Sequence, residues 1–195
     1  MLQFITCPGK GKYTPVEQIR LVIEGGCRWV EIDMPDAPDN EVRNVAMDVI
    51  RECQDTNTYL IIRGHIDVVD ELKVSGIRVG SLEEGKAARE RLGAHAIIGV
   101  DATDAETVKQ LKRYDLDYAA MPVSATDSLA AIIADVRGSG CEQPIVASAG
   151  VTLDNLEEFI NAGVNGIAVG DAIAEADDPM LYTGKILEKL LHIKP

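Results

Sequence analysis

The sequence predicts an α/β protein, a single (β/α)8 TIM barrel with short loops spanning residues 1–195 as one domain. Three observations carry the prediction. Short apolar runs of strand length alternate strictly with segments of helical periodicity, eight of each, which implies parallel strands. Glycine or proline punctuates nearly every junction. The last two strand–helix units, Pro144 to Ile173, each place glycine just past the strand's carboxyl end, where such barrels hold phosphate. An open doubly wound sheet is the alternative arrangement of the same alternation. A chain of 195 residues is short for a barrel of roughly 250, so loops must be brief.

Taken in order, Leu2 to Thr6 reads as the first strand and Cys7 to Lys12 as a glycine-rich loop. Pro15 can open a helix whose apolar face is Val16, Ile19, Leu21, Val22 and Ile23, ended by Gly25-Gly26. Trp29 to Asp33 is the second strand, and Glu41 to Gln54 an amphipathic helix. Tyr59 to Arg63 is the third strand, with a helical piece from Ile66 to Lys73; Ile77 to Val79 is the fourth, leading to a charged helix from Leu82 to Leu92. Ala96 to Val100 is the fifth, and Asp104 caps a helix ending near Tyr114. Asp117 to Met121 is the sixth, followed by a helix from Ser128 to Val136. Pro144 to Ser148, a helix from Thr152 to Ile160, and Gly166 to Val169 complete the strands; Gly170 opens a further helical run, and Pro179 to His192 is the last helix.

A net charge of −13 argues against nucleic acid or an anionic membrane as partner. Cys7, Cys27, Cys53 and Cys141 show no CxxC spacing and read as reduced, mostly buried thiols of a cytoplasmic protein. Neither a secretory signal nor an apolar run of about 18 residues is present. A homo-oligomer is compatible with the sequence.

The turns at Gly150-Val151 and Gly170-Asp171 offer backbone N–H groups at helix amino termini, which suits a phosphorylated ligand. Alternation along each strand gathers Glu31, Asp33, Arg63, His65, Arg78, Asp101, Ser124, Thr126 and Ser148 around one mouth. In that arrangement Glu31 or Asp33 serves as general base, His65 as acid, and Arg63 or Arg78 holds an anionic group. Structural ion pairs Arg63–Asp33 and Arg78–Asp101 explain the same residues. Lys10 and Lys12 suggest a lid over phosphate, against the alternative of a solvated flexible turn.

The ordered phrases Leu60-Ile-Ile-Arg-Gly-His-Ile-Asp-Val68, Ile97-Ile-Gly-Val-Asp101, Asp117-Tyr-Ala-Ala-Met-Pro-Val-Ser-Ala-Thr126, Pro144-Ile-Val-Ala-Ser-Ala-Gly-Val151 and Gly163-Val-Asn-Gly-Ile-Ala-Val-Gly-Asp-Ala-Ile173 resemble the thiamine phosphate synthase and TenI superfamily along nearly the whole chain. The resemblance implies coupling of a pyrimidine pyrophosphate to a thiazole phosphate with Mg²⁺ on the diphosphate, or TenI-type isomerisation of the thiazole. It also implies hydroxyl ligands at Thr126 and Ser128 and a metal carboxylate at Glu83. Other family positions differ: the cationic pattern after strand two falls on Glu31, Asp33 and Pro35, the metal-binding Asn-Asp on Arg63-Gly64, the lysine after strand six on Leu129, and the serine after strand eight on Asp171. The competing functions are an isomerase, epimerase or lyase acting on another phosphorylated substrate, and a non-catalytic binder.

Overall fold

The computed structural model describes residues 1–193. Strands β1 (Leu2–Ile5), β2 (Trp29–Ile32), β3 (Tyr59–Arg63), β4 (Gly76–Val79), β5 (Ile97–Asp101), β6 (Tyr118–Met121), β7 (Ile145–Ala147) and β8 (Gly166–Val169) close in chain order into a parallel barrel. β8 returns to β1 with Leu2 opposite Ile167 and Phe4 opposite Val169. The expected closed barrel is therefore the observed one, and the open sheet is not.

Among the described residues nine α-helices surround it: α1 (Pro15–Glu24), α2 (Asp39–Asp55), α3 (Ile66–Leu72), α4 (Leu82–Leu92), α5 (Ala105–Gln110), α6 (Thr126–Gly138), α7 (Leu156–Asn161), α8 (Asp171–Ala174) and α9 (Pro179–His192). None is long and apolar enough to cross a membrane. Their starts follow local hydrogen bonding. Thr14 and Glu17 form a reciprocal capping box before α1, and Asp104 accepts from the Thr107 N–H before α5. Asp104→Ala is expected to lower stability by about 1 kcal/mol, read as a lower urea midpoint at unchanged slope.

Most boundaries shift by one or two residues from expectation, and three of the differences bear on the helices around the site. The helix before Tyr114 breaks at Gln110 into a 3₁₀ turn, Leu111–Tyr114, which ends at Asp115 in the left-handed region. α7 starts at Leu156 because Thr152 and Asn155 bond each other's backbone instead of joining it. α6 begins two residues early, at Thr126.

The outward strand faces and the helices share the main core, including Phe4, Val30, Ile62, Ile98 and Phe159. Inside the barrel the amino-terminal half is apolar and aromatic. Trp29 and Tyr118 meet edge to face with centroids 5.0 Å apart, among Ile61, Val146 and Ala168. Gly99 makes room for this plug, since a Cβ there would stand 2.1 Å from the Tyr118 ring. The plug separates a small apolar hollow at the amino-terminal mouth, lined by Met1, Trp29, Tyr59 and Tyr118, from a charged cavity that opens toward the strands' carboxyl ends.

Candidate functional site

Above the aromatic plug the barrel interior changes from apolar to charged. Glu31, the inward residue after Trp29, is fully buried. Its Oε2 accepts from Gln3 Nε2 at 3.0 Å, and its Oε1 lies 2.7 Å from a terminal nitrogen of Arg78, an ion pair too poorly aligned to count as a hydrogen bond. Burial pushes the Glu31 carboxyl up to about 7, with Arg78 pulling the opposite way. Burial alone would lower the Arg78 pKa; Glu31 and Asp101 outweigh it and leave the guanidinium firmly charged.

One layer higher, two guanidiniums and two carboxylates close a ring. Arg78 donates to Asp101 at 3.2 Å and lies 3.6 Å from Asp33. Arg63 donates to both Asp33 oxygens at 3.3 Å and to Asp101 at 3.0 Å. The ring is graded in depth: the Arg78 side chain is 5% exposed, Asp33 and Asp101 about a fifth, and Arg63 34%. Both expected ion pairs are present, cross-linked into one network.

This ring forms one wall of a cavity of about 470 Å³. The opposite wall is the pair of turns after β7 and β8, bringing Ser148, Gly150, Val151, Gly170 and Asp171 to the same space. Gly150 adopts φ +70°, which turns the chain sharply. The N–H groups of Gly150, Val151, Gly170, Asp171 and Ala172 have no acceptor among the described residues. Ser148 Oγ is buried and likewise without a partner. The Asp171 carboxylate is exposed at the rim, 3.8 Å from Lys10 Nζ. Burial, and then Asp171 itself, hold the neighbouring Cys7 thiol well above its usual range, so it is protonated and not a nucleophile.

Several expected residues stand elsewhere. Glu31 lies beneath the ring and does not line the cavity. His65 is turned away: its Nδ1 is 2.7 Å from Asp39 Oδ1 and its Nε2 2.9 Å from the Met34 carbonyl, so it ties the loop before α2 to the start of α3. Thr126 and Ser128 sit in the first turn of α6 outside the cavity lining, and Ser124 flanks it behind Gly150, where a Cβ would come within 3.1 Å of Ser124 Cβ. Glu83 is exposed in the first turn of α4 and also outside the lining. The loop of Lys10 and Lys12 is no open lid. Buried Gln18 bonds the backbone of Cys7, Lys10 and Tyr13, Lys10 pairs with Asp171 and Glu175, and Lys12 donates to the Asp177 carbonyl. Two further residues belong to the site, Gln3 as partner of Glu31 and Cys7 in the cavity lining. Gln3 was findable from β1 alternation, which points it inward with Ile5; Cys7 was hidden by the loop.

The residues do not suit a protein-held Mg²⁺. Asp33 and Asp101 are already bridged by two guanidiniums, Gly64 follows β3 with no side chain, and Glu83 stands apart. Among the described residues no three His, Cys, Asp or Glu side chains gather as ligands.

With this geometry, the chain matches the family model described as "Thiamine monophosphate synthase" over residues 2–173. It is 32% identical to the thiamine-phosphate synthase of Bacteroides thetaiotaomicron, covering 99% of each chain. To the Bacteroides fragilis thiamine-phosphate synthase it is 32% identical, over 95% of this chain and 98% of that one. A solved thiamine phosphate pyrophosphorylase from Pyrococcus furiosus superposes with a TM-score of 0.82 at 23% identity, covering 97% and 96% of the two chains, a likeness of fold.

Proposed function

Because the chain belongs to the thiamine monophosphate synthase family, we propose that it binds a small phosphorylated ligand of thiamin biosynthesis or salvage, as a single-domain cytoplasmic protein. The phosphate sits on the free N–H groups of Gly150, Val151, Gly170 and Asp171. The observation that carries this reading is that two consecutive turns, both lacking acceptors for these groups, face one cavity. Such amides at strand-to-helix turns are fixed donors that need no reorganisation to meet an oxyanion.

Arg63, Asp33 and Asp101 then meet the body of the ligand, with Ser148 between phosphate seat and charged ring. Asp33 and Asp101 are the carboxylates placed to take a proton from it; Glu31, sealed below, sets Arg78 instead of touching ligand. A Mg²⁺ ion brought in with a diphosphate would neutralise the leaving group, but the ring's carboxylates are engaged and no step is assigned to it. A carbon–carbon lyase working through a lysine imine is disfavoured, since none of the residues lining the cavity is lysine.

The test is a thermal-shift panel of thiazole phosphate, thiamin phosphate, aminopyrimidine diphosphate and common sugar phosphates. Thiazole phosphate or thiamin phosphate at a hundredfold over Kd is expected to add about 2.7 kcal/mol of apparent stability. Stabilisation by sugar phosphates alone refutes the thiamin assignment in favour of an isomerase or epimerase of another phosphate ester.

A further inference from the structure

The cavity that receives the phosphate has two chemically opposite walls. Against the amide seat stands the Arg63–Asp33–Arg78–Asp101 ring, and the lining as a whole carries three carboxylates to two guanidiniums. We infer that the site selects a phosphomonoester whose far end is cationic or rich in hydrogen-bond donors, and that it does so without a metal ion. The inference rests on the phosphate seat proposed above and names the class of molecule that seat serves.

The ligand's far end is decided by which donors and acceptors of the ring are already spent. A guanidinium has five N–H donors and no acceptor, whereas a carboxylate has about four acceptor positions and no donor. Arg63 directs one terminal nitrogen to Asp33 and the other to Asp101, and Arg78 directs its terminal nitrogens to Asp101 and toward Glu31 and Asp33. What remains of Arg78 is Nε, buried and facing no acceptor. A second phosphoryl group arriving at this wall would have to take donors from carboxylates that stay beside it. Asp33 and Asp101 are placed the other way round: each keeps about a fifth of its side chain open to the cavity, with lone pairs left after the arginine contacts. An ammonium, amidinium or heterocyclic N–H on the ligand would gain charge-assisted bonds there while the ring stays intact.

The same pairing answers the metal. Mg²⁺ demands near-octahedral oxygen donors from dedicated carboxylates, phosphates and water. Here the cation's place between Asp33 and Asp101 is filled by guanidiniums, of which Arg78 is held from below by the buried Glu31.

The experiment is calorimetric titration of the full-length protein at neutral pH with short ω-aminoalkyl phosphates, the matching n-alkyl phosphates, inorganic phosphate and inorganic diphosphate, each in EDTA and in excess Mg²⁺. The aminoalkyl ester of best length is expected to bind about ten- to hundredfold more tightly than its alkyl counterpart, equally with and without Mg²⁺. In Asp101→Asn, and separately in Asp33→Asn, that ratio falls toward one. If either variant fails to fold, the ratio in the unmodified protein still decides. Equal affinity for amino and alkyl esters overturns the inference and leaves the phosphate seat standing. Diphosphate binding tenfold tighter with Mg²⁺ than any monoester also overturns it. Failure of every phosphate compound to bind refutes the seat, and this inference with it.

Discussion

Arg78→Met is expected to destabilise the protein by about 3–5 kcal/mol at pH 8, the range found when one partner of a buried ion pair is removed. Arg78 is 4% exposed and holds three carboxylates from the barrel axis: Glu31 at 2.7 Å, Asp101 at 3.2 Å and Asp33 at 3.6 Å. Methionine fills the volume and offers no charge. Glu31 would then be anionic in the barrel interior with only Gln3 to hold it, and it escapes by taking a proton. The loss should therefore shrink as pH falls, because burial already raises this carboxyl and removing Arg78 raises it further. Urea unfolding at pH 8 and pH 5 reads both the size and the trend. Adding Glu31→Gln to Arg78→Met should recover part of the loss at pH 8, since no buried anion then remains unpaired at that layer. A loss below about 1 kcal/mol at pH 8, the value of an exposed pair, would show that Arg78 is not a keystone of the ring.

Much of this was legible in the chain, and the parts that were not share a physical cause. The strands read directly because Leu60-Ile61-Ile62 and Ile97-Ile98 are apolar runs closed off by glycine or charge, and eight such runs in alternation leave few ways to close a sheet. Period-two alternation also found the ring, since Asp33, Arg63, Arg78 and Asp101 all stand at or next to the carboxyl ends of their strands. It could not supply depth. Glu31 and Asp33 share a face, yet two residues along a strand are about 7 Å, enough to separate a lining carboxylate from a sealed one. Loops were harder still. Ser124, Thr126 and Ser128 follow β6 in sequence, but nothing periodic tells which way a loop and the first turn of its helix face. His65 shows the limit clearly: its direction is set by the Met34 carbonyl and Asp39, partners about thirty residues away in the loop before α2 and at that helix's first residue. Conversely the Lys10 loop looked free because Gln18, which bonds its backbone, reads as part of the helical face of α1, and the partners of Lys10 and Lys12 lie at the far end of the chain.

Glu31→Gln is expected to flatten the protein's pH dependence of stability, and the sign follows from where its proton resides. The folded-state carboxyl titrates at about 7 and the unfolded one near 4.5. Between these values the folded chain holds a proton that the unfolded chain has released, so each step up in pH favours unfolding. The stabilising contribution is thus complete below pH 4.5, is lost as pH rises through 7, and stays lost above it. A displacement of this size corresponds to about 3 kcal/mol. Glutamine keeps the shape and removes the titration. Its amide oxygen can face Arg78, with Gln3 turned so that its carbonyl accepts from the new amide. Relative to the unmodified protein, Glu31→Gln should gain about 3 kcal/mol between pH 4.5 and pH 8, whatever its offset at the acidic end. Groups common to both proteins cancel in that difference, so urea midpoints at four or five pH values isolate the one carboxyl. Parallel curves would mean that Arg78 keeps Glu31 ionised throughout. The pair would then be a fixed strut, the ring above would stand on a permanent anion, and ligand affinity at Asp33 and Asp101 would show no step near neutrality.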